Sequence, residues 1–308
     1  MLPLFVCPAC RSPLDTPGPA TERRCPACDQ AYRREDGIWR MLAPTRQDAL
    51  AGFIARYETV RSREQRRVPT RRHLEALPFR DLSGHHAYEW SIRARSFRAL
   101  LRRVVRPLER TRRPLVALDL GSGVGWLAYR LARRGHEVVA VDLVTNDVDG
   151  LGVHRFFERE VTSVQAEFDR LPLRDTSVDL VVYNAALHYA ADYAATLREG
   201  MRVLREGGRL VIMDSPLYRD PASGAAMVRE RDRAIDREAP VPSAGFLPEG
   251  FLTHDRLTAL GRDLGVTFDL VSPWYGLRWW ARPWLARLRG QREPAEFKLI
   301  IARRNGDR

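Results

Sequence analysis

The chain has 308 residues, 44% of them hydrophobic, which is long and apolar enough for one large domain plus an appendage. Its formal charge is +12, but Lys298 is the only lysine, so the surplus is almost all arginine and points only weakly to RNA or an anionic membrane. The opening Met-Leu-Pro-Leu-Phe-Val has no basic n-region and no run reaches the length of a membrane span, so neither a leader nor a transmembrane segment is expected, and a soluble, cytoplasmic protein is.

All four cysteines lie in the first 28 residues, as Cys7-Pro-Ala-Cys10 and Cys25-Pro-Ala-Cys28. Two Cys-x-x-Cys knuckles with 14 residues between them have zinc-ribbon spacing, each giving two thiolates to a tetrahedral ion. Two disulfides, or four unlinked thiols, suit neither a cytosolic setting nor the paired spacing. Cys7, Cys10, Cys25 and Cys28 are thus the expected ligands. Four sulfurs close the coordination sphere, so the metal is structural and folds a segment too short to own a core. Together with Arg11-Ser12-Pro13-Leu14, Tyr32, Asp36-Gly37-Ile38 and Met41-Leu42, the knuckles resemble the small zinc-binding activators of tRNA and rRNA methyltransferases. The resemblance implies a domain, residues 1–44, that recruits or supports a partner.

Residues 45–113 read as a helical linker. Thr45 and Asp48 make a capping-box-like start, and Leu50, Phe53, Ile54 and Tyr57 recur at helical spacing. Trp90, Ala94, Phe97, Leu101 and Val104 predict a second helix that stops near Pro107, with Val68-Pro69 and Leu77-Pro78 as breaks between the two. The linker either packs over a sheet edge or forms a lid whose Tyr57 or Trp90 closes over a ligand.

Leu115-Val116-Ala117-Leu118-Asp119-Leu120-Gly121-Ser122-Gly123-Val124-Gly125-Trp126 then predicts a strand, a glycine turn and a helix in which Leu127 and Leu131 share a face. Gly121, Gly123 and Gly125 let the backbone approach a ligand at a helix start. A dinucleotide fingerprint wants Gly or Ala where Trp126 stands, and Asp119 is out of place beside a pyrophosphate but suits a cationic ligand. The next strand, from Glu137, ends in Asp142, placed to hold ribose hydroxyls. Ribose plus a positively charged amino acid describes S-adenosylmethionine.

The run Val116–Gly125 resembles the first motif of class I S-adenosylmethionine-dependent methyltransferases. Glu167-Phe168-Asp169-Arg170-Leu171-Pro172-Leu173 with Val178-Asp179-Leu180-Val181-Val182 resembles the family's adenine-contacting loop and fourth strand. Arg202-Val203-Leu204-Arg205-Glu206-Gly207-Gly208 followed by Arg209–Ile212 resembles its helix end, Gly-Gly turn and fifth strand. The resemblance covers roughly 114–215. It implies a cofactor site of Asp119, Gly121, Ser122, Gly123, Gly125, Asp142, Leu143, Glu167, Phe168 and Asn184, with Glu167 near the adenine amino group.

Between these motifs, residues 143–152 read as a loop in which Asn146 and Asp147 cap a short helix rather than reach a ligand. Tyr183-Asn184-Ala185-Ala186-Leu187-His188-Tyr189 closes the fourth strand at the ligand end of a parallel sheet. His188 is the candidate general base on its unperturbed pKa, against a plain hydrogen-bonding role. Asp192 caps a helix buried through Tyr193, Leu197, Met201 and Leu204 and ended by Gly207-Gly208, and the fifth strand runs to Asp214. Two long connections follow as natural substrate walls, from Ser215 to about Pro248 and from Pro273 to Pro294. The second holds four of the seven tryptophans, with Leu277, Trp280, Ala281, Trp284, Leu285 and Leu288 on one helical face and Arg278, Arg282 and Arg287 off it. Pro283 kinks or starts that helix.

The expected fold is α/β: a doubly wound, seven-stranded, mostly parallel sheet over residues 114–308 whose last strand, about Ala295–Ala302, is antiparallel, behind the ribbon and linker. The expected activity is methyl transfer from S-adenosylmethionine to a small, partly apolar metabolite. Methylation of ribosomal or transfer RNA guided by the ribbon, and a catalytically inactive cofactor-binding partner, are the alternatives. Peripheral membrane contact through 273–294 is a further expectation.

Overall fold

Short runs of Val, Ala and Leu, too apolar to face water on either side, make the centre of the molecule a parallel sheet covered on both faces. The computed structural model describes residues 5–14, 21–64, 70–238 and 248–305. Its strands are β1 (Glu22–Arg24), β2 (Ala31–Glu35), β3 (Ile38–Arg40), β4 (Val116–Leu120), β5 (Glu137–Asp142), β6 (Thr162–Gln165), β7 (Val178–Asn184), β8 (Leu204–Met213), β9 (Leu217–Tyr218), β10 (Leu252–Thr253), β11 (Val266–Val271) and β12 (Leu299–Arg304). The helices are α1 (Pro44–Arg63), α2 (Arg71–Ala76), α3 (Ala87–Leu100), α4 (Arg106–Thr111), α5 (Trp126–Arg133), α6 (Tyr193–Val203), α7 (Pro221–Glu238), α8 (His254–Leu264), α9 (Leu277–Trp280) and α10 (Arg282–Leu288).

The main sheet runs β1-β2-β3-β6-β5-β4-β7-β8-β12-β11. From β6 to β8 every pairing is parallel, and β12 is antiparallel to both β8 and β11. The chain leaves β4 on one side for β5 and β6 and returns on the other for β7 and β8, so a crevice opens outside the carboxyl ends at β4. Two apolar cores flank the sheet: one holds Leu118, Val139, Val181 and Ile212, the other Ala117, Val138, Leu180 and Val211, the alternation a two-residue repeat demands.

The seven expected strands are joined by three from the cysteine-bearing segment. β3 pairs in parallel with β6, and Ile38 and Trp39 point to opposite faces, Ile38 into one core and Trp39 into the other. The open edge of β6 would otherwise present unpaired amides and carbonyls, and β3 covers it. Arg11 grips the buried Glu199 on α6 at 2.5 and 2.9 Å, and Val6 N–H donates to the Pro172 carbonyl at 3.1 Å.

Four local expectations change. α1 begins at Pro44 with Ala43 as its N-cap and no side-chain cap, because proline, with its fixed φ and no N–H, suits the first helical position and puts Thr45 inside the helix. The helix through Trp90 does not stop at Pro107: a π-helical turn, Leu101–Val105, leads into α4, which carries the proline in its first turn. α6 ends at Val203, and Leu204 and Gly207-Gly208 belong to β8, where the pairing with β7 shifts register. The last strand starts at Leu299 rather than Ala295. Leu77 does end α2, and Val68-Pro69 lies outside the described residues.

Candidate active site

The turn after β4 is shaped by two close approaches. Gly121 has φ of +71°, and a Cβ there would lie 2.4 Å from that of Ala186. Gly125, at +70°, caps α5, and a Cβ would lie 2.2 Å from Nε2 of His154. The turn amides are spent on the fold itself. Gly121 and Ser122 donate to the Val141 carbonyl at 2.8 and 3.1 Å, and Gly123 donates to the Asp142 carboxylate at 2.8 Å. The other Asp142 oxygen accepts from Val144 N–H at 2.9 Å, so this carboxylate first of all ties the two loops together. Burial raises the Asp142 pKa against these amides.

Two cavities meet at this turn. The smaller, about 180 Å³, is lined by Leu50, Phe53, Asp142, Leu143, Glu167 and Phe168 among others. The larger, about 1010 Å³, is lined by Ser122, Gly123, Asn184, His188, Asp214 and Arg231 among others. Gly121, Tyr57, Ala185 and Tyr189 face both. Eight of the ten expected cofactor residues therefore border this double cavity, and His188 borders it too. Asp119 and Gly125 do not. Asp119 lies fully buried behind the turn, one oxygen accepting from Ala128 N–H at 3.1 Å and the other without a partner, so it anchors the start of α5 instead of facing a cationic ligand. Burial lifts its pKa to about 7.

The linker forms one wall of both cavities. Arg46 of α1 chelates Glu167 at 3.0 and 3.1 Å, Glu58 accepts from Asn146 Nδ2 at 2.8 Å, and Arg61 reaches Asp149 at 3.4 Å. These three polar ties hold α1 across the loops that follow β5 and β6. Tyr57 sits edge-on to Tyr189 at 5.5 Å, and Trp90 lines the larger cavity. Glu167, expected beside an adenine amino group, is thus already held by a guanidinium. Asn146 accepts from Val148 and Asp149 N–H at 2.9 Å, so it closes a turn in its own loop, and the short helix expected there, Leu151–Phe156, has no side-chain cap.

The larger cavity carries the reactive-looking groups. Ser122 Oγ, Asn184 Oδ1 and Asp214 Oδ2 are buried polar atoms without a hydrogen-bond partner, and all three residues line it. Such atoms are costly unless a ligand completes them. Asp214 directly follows β8 at φ of +55°, unusual for a residue other than glycine, with its second oxygen accepting from Ser96 Oγ, which also meets Tyr275 Oη at 2.9 Å. Burial raises the Asp214 pKa, offset in part by Ser96 and Arg93. The sequence located Asp214 only as a strand end. An acidic residue at the carboxyl end of a parallel strand is the signal that could have singled it out. His188 falls short of the general base expected: burial first, then Arg231 and Arg93, push its pKa down to about 3, and its Nδ1 lies 3.4 Å from Ser215 Oγ.

At the far edge the four cysteine sulfurs lie within 4.8 Å of one another, three pairs at 3.4–3.6 Å. Thiolates around a tetrahedral ion at Zn–S of about 2.3 Å stand about 3.8 Å apart, so the donor set fits zinc.

A family model described as a methyltransferase domain matches residues 118–212. An uncharacterized methyltransferase of Mycobacterium tuberculosis is 39% identical over 140 residues, covering 45% of this chain and 54% of that protein. A dimethylglycine N-methyltransferase of Parasynechococcus marenigrum is 37% identical over 157 residues, covering 50% and 51%. A demethylmenaquinone methyltransferase of Mycobacterium marinum is 35% identical over 170 residues, covering 53% and 68%. The chain spans about half the length of the first of the curated relatives it matches. Among solved structures, one from Galdieria sulphuraria, provisionally described as a sarcosine dimethylglycine methyltransferase, shares the fold with a TM-score of 0.50 at 15% identity, over 70% of this chain and 87% of that one. With the sheet order, the glycine turn and these relatives together, the chain belongs to the class I S-adenosylmethionine-dependent methyltransferases.

Proposed function

We propose that the chain is an active methyltransferase of the cytoplasm whose acceptor is a small, partly apolar metabolite. The observation that carries this reading is the double cavity joined at Gly121, with unpartnered polar atoms of Ser122, Asn184 and Asp214 all on its larger side. The smaller side, walled by Leu50, Phe53, Leu143 and Phe168, suits an adenosine, with Asp142 beside it for ribose hydroxyls. When bound, S-adenosylmethionine supplies an electrophilic methyl group on a sulfonium. The residues of the chain do the rest: Gly121 leaves room at the junction, Tyr57 and Tyr189 shield it from water, and Asn184 and Ser122 orient polar groups. Asp214 accepts the proton that an oxygen or nitrogen acceptor must lose, and neutral His188 serves as a hydrogen-bonding wall. The ribbon, residues 1–44, holds one structural zinc through Cys7, Cys10, Cys25 and Cys28 and stiffens the β6 edge; residues 45–113 form the lid, and 114–308 the methyltransferase domain.

The test is to incubate the full chain with radiolabelled S-adenosylmethionine and cell extract and to separate RNA, protein and organic-soluble pools. Label in the organic-soluble pool is the expected result. Label in RNA would replace the acceptor class, and tight cofactor binding without any transfer would make the chain an inert partner. In the same preparations metal analysis should find one zinc per chain, lost in Cys25→Ser.

A further inference from the structure

The segment between β11 and β12 has an inside and an outside. Inside, Trp279 packs on Tyr275 at 5.1 Å and on Phe297 at 5.0 Å with the Arg282 guanidinium 3.7 Å above its ring, while Leu285, Ala286 and Arg289 wall the larger cavity. Outside, Trp274, Leu277, Trp280, Trp284 and Leu288 stand 59–84% exposed. Pro283 starts α10 rather than kinking one long helix, and it keeps Leu277, Trp280, Trp284 and Leu288 on the same side. Among the described residues ten large hydrophobic side chains are exposed, and six of them are in this one segment. An apolar patch so concentrated on a chain with a well-filled core marks a contact surface. Of the four tryptophans in this segment, Trp279 alone packs against neighbouring rings.

The chemistry of the surroundings selects the occupant. Residues 273–294 contain five arginines and one acid, Glu293. Arg278, Arg287 and Arg289 are exposed beside the patch, with Arg278 lying 4.2 Å over the Tyr88 ring. Tryptophan and leucine on one side with arginine at the margin is the make-up of a helix that lies in the headgroup region, where indoles sit at the interface and guanidiniums reach lipid phosphates. A protein partner with a matching apolar groove would leave this one-signed arginine margin unexplained. No helix among the described residues is long and apolar enough to cross a membrane, so such a contact is peripheral.

We propose that residues 274–289 dock the protein on an anionic lipid bilayer, with the mouth of the larger cavity held against it. Docking goes beyond the methyl-transfer reading and does not rest on it; only the nature of the acceptor does. The acceptor would then be an amphiphile that enters from the bilayer along Leu285 and Ala286.

The test is co-sedimentation of the full chain with phosphatidylglycerol-containing vesicles and with pure phosphatidylcholine vesicles. At least ten-fold tighter binding to the anionic vesicles, weakening with salt, is the expected result. Trp280→Ser with Trp284→Ser should lower that binding ten-fold or more while melting temperature and calorimetric cofactor affinity stay unchanged, because both side chains face solvent. Arg278→Glu with Arg287→Glu should abolish the preference for anionic lipid. No binding to anionic vesicles, or equal binding by the tryptophan double variant, would overturn the proposal. So would a concentration-dependent dimer that the double variant loses in the absence of any vesicle binding, which would make the occupant a second copy. Cofactor affinity is measured separately, so failure of docking and failure of the methyltransferase reading are told apart.

Discussion

The two cavities at the carboxyl end of the sheet are made of different materials by different parts of the chain. The smaller is built mostly from residues at or just after the ends of β4, β5, β6 and β7, closed by one helix, α1. The larger draws on the linker, on α7 and on the segment before β12, which are far apart in sequence. The strand-end loops of a doubly wound sheet can hold a constant ligand by backbone shape, whereas the acceptor site is assembled from insertions that a family varies freely. One side is therefore sensitive to shape, and the other to the protonation and polarity of a few side chains.

The largest effect should come from breaking shape on the smaller side. Gly121→Val places a branched side chain at φ of +71° and 2.4 Å from Ala186, both unfavourable. Cofactor affinity, read by calorimetry, should fall about 100-fold or more, corresponding to about 3 kcal/mol. Retained affinity would show that the junction between the cavities is not where the cofactor passes. A smaller and more selective effect is expected across the junction. Asp214→Asn keeps the shape and removes the proton acceptor, so turnover should drop about 100-fold with cofactor affinity within a few fold. Equal losses in both quantities would assign Asp214 to holding the strand end.

Much of the smaller side was legible because its signals are local. A glycine turn between an apolar run and a helix, and an acid at the end of the next strand, are patterns within a dozen residues, and Gly121, Asp142 and Leu143 line that side. Asp119 was misread for the opposite reason: its neighbours in sequence suggest a ligand, but the α5 amide at Ala128 reaches it first. Glu167 was claimed by Arg46, a partner 121 residues away that no local pattern connects to it. The pairing of β3 with β6 escaped as well, since three residues, Ile38–Arg40, carry no periodicity to read. The outward Trp280 and Trp284 were visible as a helical stripe that already left Trp279 out, and only the fold showed that Trp274, off the stripe, also faces outward.

The smallest effect concerns His188 and sharpens the contrast by what does not happen. Its imidazole lines the larger cavity, but burial and the nearby Arg231 and Arg93 disfavour the charged form, bringing the pKa from the usual 6.5 to about 3. A histidine depressed in the folded state is neutral across the working range, so it adds no step near pH 6.5 to the rate profile. The sign for stability follows from proton counting. Between about pH 6.5 and 3 the unfolded chain binds a proton at this position that the native state refuses, so the group lowers stability as pH falls through that window. His188→Asn removes the penalty and keeps a polar side chain near Ser215. The variant should lose less melting temperature than the parent on acidification from pH 7 to 5, and its turnover at pH 7.5 should stay within about five-fold, since no proton transfer is lost. A step near pH 6.5 in the parent profile that disappears in His188→Asn would restore the histidine as general base and leave Asp214 with the supporting role.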